Sequence, residues 1–583
     1  MTRTVSIANV SGFYGDRAAA IGEMLAGPRV DYITGDYLAE LTMLILGRDR
    51  LKDADLGYAK TFLRHLTPHL GLLAERGTKV VVNAGGLNPG GLAAAVEKAI
   101  ENADESARHL TVGWVDGDDL LARSAELGVP NAVTANAYLG AFGIADCLAA
   151  GADIVITGRV TDASVILGPA IAEFGWQRTD FDALAGAVAA GHIIECGTQA
   201  TGGNYAFFDR HPIEQLLHPG FPIAEIAADG SFAITKQPGT GGVVEVGTVT
   251  AQLLYEVTGQ RYANPDVTLR LDSMTLAQDG PDRVTVSGIR GEAPSTTTKV
   301  ATTTLGGFRN EIAFLLTGID VERKAALLEA QLRDALERSG GAPSDLQFRL
   351  ARTDHPDAPT EAAASATLTA VAWDTDPNRV GRAFSSAAVE LALATYPGAS
   401  PMAPPSSGGP YGVYQAVYVP NGDVPHRAHR PDGTVVEIAP PEVVQELAAD
   451  PSQPGGDAAL PAGPTVRVPL GTVFGARSGD KGGSANVGVW AESDAAYEWL
   501  RSNLTEQALR ELLPEAADLP VRRYELPNLK ALNFVVEDLL GKGVAHGYRF
   551  DPQAKGVGEW LRGRYIDLPA GLLPAGHTTK EIA

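Results

Sequence analysis

Polar residues collect in this sequence where short apolar runs end. The run VSIAN opens into Asn9-Val10-Ser11-Gly12-Phe13-Tyr14-Gly15-Asp16-Arg17. Its small residues let a backbone approach a ligand, Asp16 can cap the following helix, and Arg17 can meet an anion. A tight strand-to-helix turn with a surface arginine accounts for the same residues. The next such loop is Asn83-Ala84-Gly85-Gly86-Leu87-Asn88-Pro89. Asn88 and Pro89 suit the N-cap and first positions of a helix. Asn83, Gly85 and Gly86 precede that cap, and free N–H groups near a helix N-terminus favour a phosphate, carboxylate or oxyanion. Neither GxGxxG nor GK[ST] is present there. Asp116, Asp118 and Asp119 can hold a hard cation or cap a helix. Asn136 and Tyr138 are expected to open a helix. Arg159 beside Asp162 can clamp a carboxylate or phosphate, or form a structural ion pair.

The segment HIIECGTQATGGNY is polar with few surface charges. His192 and Glu195, three apart, would share one helix face. They make either a structural contact or an acid–base pair, and a Glu195 in semi-apolar company gains a raised pKa suited to general acid or base work. Cys196 has no adjacent base and no catalytic-cysteine signature around it. Thr198, Gln199 and Asn204 read as a binding loop. Lys236, in TKQPGTGG, either meets an anionic group or is a surface lysine. Near the C-terminus, Gly475 to Asn486 sets Arg477, Ser478, Asp480, Lys481 and Asn486 among four glycines. A two-residue hairpin needs only Gly or Asn at its turn. The segment therefore reads as a loop that closes over a site on the large domain or makes a subunit contact.

Other arrangements are missing. His65 and His69 have Pro68 between them and no glutamate to complete HExxH. With CxxC, GxSxG and HxH also absent, zinc-protease and serine-hydrolase chemistry is disfavoured and no metal site is assigned. The catalytic candidates are Glu195 or Asp116 as the base and Asn83 as a donor to a developing oxyanion, with the remaining residues above as binding groups.

Elements must bring these loops together. Over the first 180 residues, buried-strand runs (VSIANVSG, VDYITGDY, KVVVNAGG, LTVGWVDG, DIVITGRV) alternate with helical stretches at 16–25, 38–75, 90–100 and 135–149. That alternation predicts an α/β fold with a mainly parallel sheet flanked by helices, where ligands gather at the carboxyl ends of strands. From 241 to 304 short strand patterns follow one another without a long helix. Helices at 320–337 and 380–396 then pack on strands such as ATLTAVAWD, an α+β pattern. The expected organisation is an α/β domain over 1–240, an α+β middle region of the same large domain over 241–448, and a Pro/Gly-rich linker at 449–464. A small ferredoxin-like α+β domain over 465–550 and a docking tail over 551–583 follow. In the small domain the last element, VVEDLLGKG, reads as helical.

The chain has 583 residues, 45% hydrophobic and 20% charged, too long for one core and ordinary for a globular protein. A formal net charge of -23 disfavours nucleic acid and anionic membranes as partners. Two cysteines, Cys147 and Cys196, do not make a disulfide framework and suit a reducing compartment. No signal-peptide pattern opens the chain and no apolar run nears about 20 residues, so a cytoplasmic location is expected.

IANVSGFYGDR, ITGDYLAE, VVNAGGLNP, ITGRVTD, CGTQATGGNY and KQPGTGG, in this order and spacing, resemble the acyclic terpene utilisation (AtuA) family. GARSGDKGGSANVGVW with LPNLKALNFVVEDLLGKG is similar to the ferredoxin-like module that ends such proteins. The resemblance spans most of the chain. It implies branched or terpenoid acyl-CoA catabolism, with a lyase or hydro-lyase acting on a 3-hydroxyacyl-CoA. No redox cofactor is expected, coenzyme A enters as part of the substrate, and the partners are a small acyl-CoA or organic acid and further copies of the chain. The alternatives are a binding or scaffold subunit of an acyl-CoA pathway complex and a phosphate- or nucleotide-binding enzyme.

Overall fold

The computed structural model describes residues 3–453 and 464–574. Most of the expected linker at 449–464, and the end of the tail, lie outside the described residues. The chain divides into two compact units: Met1–Thr302 with Gln415–Leu540 and Gln553–Ala583, and Thr303–Tyr414 with Gly541–Pro552.

Five strands form the parallel centre of the first unit, in the order β1 (Thr4–Asn9), β2 (Tyr32–Gly35), β3 (Lys79–Val82), β6 (Ile154–Thr157) and β4 (Val112–Asp116). Antiparallel strands extend this centre at both edges into one mixed eleven-stranded sheet. β7 (Pro222–Ala227) and β8 (Phe232–Lys236) lie on the β1 side, and Arg427–His429 lies on the β4 side.

Alternate side chains on the strands feed two cores. Ile7, Tyr32, Val81 and Val155 pack with α6 (Phe142–Ala149), α7 (Ser164–Phe174) and α8 (Phe181–Ile194). Ala8, Ile33, Val80, Val82 and Ile156 pack with α1 (Ala20–Ala26), α3 (Lys60–Leu66), α4 (Leu70–Arg76) and α5 (Pro89–Glu101). α8 is buried continuously from Leu184 to Ile194, so its C-terminus delivers residues into the protein interior.

Local readings differ from the structure in several places. The first helix begins at Ala20 rather than Asp16, because Asp16 spends its carboxylate on the Gly12 and Arg17 amides. The stretch read as a helix from 135 starts as strand β5 (Ala132–Ala137), which pairs with the long strand Thr297–Thr317; the helix there is α6. Val246–Leu253, inside a run read as strand, is a helix that Glu245 and Thr248 start with a reciprocal capping box. Of VVEDLLGKG (535–543), read as helical, Val535 and Val536 end the buried strand Ala531–Val536 and the residues just after them form turns.

That strand belongs to the small antiparallel sheet of the C-terminal module. Its order is Gly475–Lys481, Ser484–Trp490, Ala531–Val536, Val521–Leu526, with helices Asp494–Asn503 and Glu506–Leu512. The glycine-rich segment is thus a β-hairpin turning at Gly482-Gly483 rather than an irregular loop. In the tail, Tyr565–Pro569 pairs antiparallel with Thr465–Pro469, and the helix Val557–Arg562 packs into the same core.

In the second unit, Asp345–Ala351, Ser365–Asp374 and the Phe308–Thr317 part of the long strand form an antiparallel sheet covered by Val321–Arg338 and Phe384–Glu390. No described helix is long and apolar enough to cross a membrane.

Candidate functional site

The carboxyl ends of β1, β2, β3 and β6 open into one buried polar cluster, where a parallel sheet places ligands. Asn9 closes β1. Its side-chain amide, fully buried, donates to the carbonyls of Ile194 and Glu195 at 2.8 Å each and so pins the end of α8 to the sheet. Asp36 follows β2 and accepts from Asn83 Nδ2 at 2.5 Å, while Asn83 Oδ1 accepts from the Tyr37 N–H at 2.7 Å. Asn83 therefore joins two strand ends with both arms of its amide. Gly85 lets the loop after β3 approach β6, because a Cβ there would stand 2.5 Å from the Thr157 carbonyl oxygen.

Arg159, after β6, is buried; its guanidinium donates to the Leu38 carbonyl at 2.9 Å, meets Asp162 at 2.9 Å and lies 4.2 Å from the Tyr138 ring centre. At the end of α8, His192 Nδ1 and Glu195 Oε1 are 3.1 Å apart, and the His192 ring sits 4.7 Å from that of Tyr262. Glu195 Oε2 is buried with no hydrogen-bond partner, while the Tyr255 backbone faces the His192 ring. An unmatched carboxyl oxygen is uncommon in an interior and leaves Glu195 able to meet a ligand group.

The hairpin of the C-terminal module completes the cluster. Lys481 feels Glu256, Tyr138, Asp162 and Glu195, and Glu195 feels Asp162, Glu256, Lys481 and Arg159. Burial raises Glu195 well above the carboxylate range, and Asp162 and Glu256 add to the rise. Burial likewise raises Asp36, with Asp162 reinforcing it, and Glu40, where the lysines oppose. His192 is pushed down to about 4, by burial first and then by Lys481. Lys481 itself rises against its burial, because Glu256 and its other anionic neighbours outweigh the desolvation. Both shifts favour the uncharged forms of Glu195 and His192, beside the cations Lys481 and Arg159. Asp480, raised to about 7 by burial and by Glu256, stands at the edge of the cluster.

Arg477 stacks 4.1 Å from the Tyr255 ring centre and donates to Gln199 Oε1, joining the hairpin to the 197–204 segment. Thr198 lies in that segment and its carbonyl accepts from the Gly203 N–H at 2.9 Å, while Asn204 takes a left-handed turn conformation.

The remaining candidates stand in structural contacts. Asp116 pairs with Arg427 at 2.7 Å and with His429 at 3.3 Å. Asp118 accepts from Asn136 Nδ2 at 2.7 Å and from the Arg159 N–H at 2.9 Å, and Asp119 pairs with Arg50 at 2.7 Å. These three carboxylates therefore do not converge on a cation, and among the described residues no group of three His, Cys, Asp or Glu side chains is placed to hold one. Arg17 pairs with Glu23 at 2.7 Å, Asn88 caps α5 through the Gly91 N–H, and Gly86 takes a left-handed turn beside it. Lys236 binds Asp282 at 3.0 Å and the Thr240 carbonyl at 2.8 Å. Ser478 ties the hairpin to the tail through Ala554 O and Gly558 N. Asn486 accepts from the Glu256 N–H at 2.7 Å and donates to Leu254 O at 3.0 Å, which docks the hairpin.

Asp36, Glu40, Glu256, Tyr262 and Lys299 belong to the cluster without having stood out in the sequence. Asp36 carried a usable signal, since it follows a buried strand just as Asn83 and Arg159 do. Glu256 and Lys299 lie in strand-like stretches with no motif around them.

Two family models match the chain: acyclic terpene utilisation family protein AtuA over residues 5–430, and the AtuA ferredoxin-like domain over residues 468–567. The chain belongs to the acyclic terpene utilisation family. No curated protein and no solved structure matches it. In this AtuA-family chain the site draws on both matched regions. Glu195, Arg159 and Asp36 come from the first, and Asp480 and Lys481 come from the second.

Proposed function

We propose that this AtuA-family chain is an enzyme of branched or terpenoid acyl-CoA catabolism, a lyase or hydro-lyase acting on a 3-hydroxyacyl-CoA. The observation that carries the reading is the buried Glu195–His192 contact at 3.1 Å, with Glu195 Oε2 unmatched and Lys481 and Arg159 beside it. A carboxyl kept protonated by burial is a general acid at neutral pH. Such chemistry needs a proton delivered to a developing carbanion and positive charge near the thioester oxygen. Glu195 supplies the first, and Lys481 with Arg159 supplies the second. Only protons and electron pairs move, so the reaction calls for no redox cofactor. The family's association with acyclic terpene utilisation supports an acyl substrate of this kind.

Glu195→Gln tests the reading, because glutamine mimics the protonated carboxyl but holds no transferable proton. With a panel of branched 3-hydroxyacyl-CoA thioesters, the variant should keep the wild-type melting temperature and lose roughly 10²–10⁴-fold in kcat. Purified wild-type protein that neither binds nor converts any member of the panel overturns the proposal. Co-purification with a pathway carboxylase or dehydrogenase, with flux retained in Glu195→Gln, would instead favour a scaffold subunit.

A further inference from the structure

Tyr138 follows β5 and is held from two sides by backbone. Its N–H donates to the Lys299 carbonyl at 2.9 Å, and the next N–H, of Leu139, donates to the Arg159 carbonyl at 3.2 Å. Both of those partner residues carry a cation to the same ring: Arg159 Cζ lies 4.2 Å from its centre and Lys299 Nζ 4.7 Å. Lys481, from the hairpin, feels the same phenol, as do Asp162 and Tyr262. Tyr138 is also one of the residues lining a cleft with Gly140, Arg178, Asp266, Thr298 and His426, while its ring meets Arg159 of the buried cluster.

The other tyrosines provide the comparison. Burial raises Tyr32, Tyr37, Tyr205, Tyr255 and Tyr262 above the ordinary phenol range. Burial would raise Tyr138 too, but Arg159 and Lys299 outweigh it and hold the phenol below that range. Burial raises Asp36 and Glu195 above the carboxylate range, which suits them to give a proton rather than take one.

We infer that Tyr138 is the catalytic base of this site, positioned by Arg159 and Lys299 to take the proton of a substrate hydroxyl presented from the cleft. The inference rests on the lyase reading above and names its missing partner. The phenolate oxygen takes the 3-hydroxyl proton, and the O–H electron pair becomes the second bond of a new C3 carbonyl. The C2–C3 bond breaks, and its pair moves into the enolate of the departing thioester. Glu195 then protonates C2. Tyr138 ends protonated and Glu195 ionised, and one proton passed between them restores both.

Two measurements test this. Ultraviolet titration of tyrosinate in the whole protein should show one tyrosine ionising below the ordinary range, and Tyr138→Phe should remove it. With a branched 3-hydroxyacyl-CoA, Tyr138→Phe should lower kcat at least about 100-fold with KM changed less than about threefold. Lys299→Met, which keeps the ring, should move both the titration and the rise of kcat to higher pH. Absence of the early-ionising tyrosine overturns the inference, and so does its presence with full activity in Tyr138→Phe; in that second case the lyase reading stands. Wild-type inactivity on every thioester removes both, and the titration then shows separately whether the ionised group exists.

Discussion

Asp118 shows how one buried group shapes the site without joining the cluster. Its carboxyl holds the Arg159 N–H and the Asn136 amide, and burial raises it from 3.8 to about 7 despite those two donors. The native protein therefore keeps a proton that the unfolded chain releases near pH 4. This contribution to stability is complete below about pH 4 and is lost as the pH rises through about 7. The melting temperature of the wild type should fall across that window, and Asp118→Asn should flatten the fall in pH-resolved calorimetry. An unchanged slope would mean that Asp118 is ionised throughout. Asn83 teaches a related lesson, because its residue type suits an oxyanion donor but its amide is committed on both sides to Asp36 and Tyr37.

At the scale of elements, the decisive joint is the hairpin of the C-terminal module against the segment 246–257. Gly479 faces Tyr255, and a Cβ there would stand 2.4 Å from the ring. The Asn486 bonds to Glu256 and Leu254, together with Asn533 Nδ2 to the Val257 carbonyl at 3.0 Å, hold the two elements in register. Gly479→Ala should displace the hairpin and draw Lys481 out of the cluster. Hydrogen exchange should rise at Asn486 and Glu256, and any acyl-CoA activity should drop at least about tenfold, while the rest of the module keeps its protection. Unchanged exchange at those amides would show that the joint tolerates a methyl group.

For the whole molecule, charge is the dominant property. A net charge of -23 over 583 residues repels polyanions at long range. The cations of the site do not counter this, because they are enclosed among carboxyls. Sedimentation with anionic phospholipid vesicles or with duplex DNA at physiological salt should leave the protein in the supernatant. Pelleting that disappears at high salt would reveal a basic surface at odds with this charge balance.

Much of this protein was readable from local pattern. The β-branched runs at VSIAN, VVVN and IVIT specify buried parallel strands, since both their faces must meet helices. The residues just beyond them, Asn83 and Arg159 among them, then have to lie at one edge of the sheet. Glu195 was recognisable from its apolar helix, and the family from the order of its loops. Local pattern failed where distant contacts decided the outcome. The stretch around Asn136 is a strand because Thr297–Thr317 pairs with it, and Val535 and Val536 end a strand rather than open a helix because two other strands flank them. It also failed for Tyr138, Glu256 and Lys299, whose chemistry exists only once three distant segments meet. A pKa or a cation against a ring depends on distances through space, and those were set by how the module's hairpin and the sheet pack together.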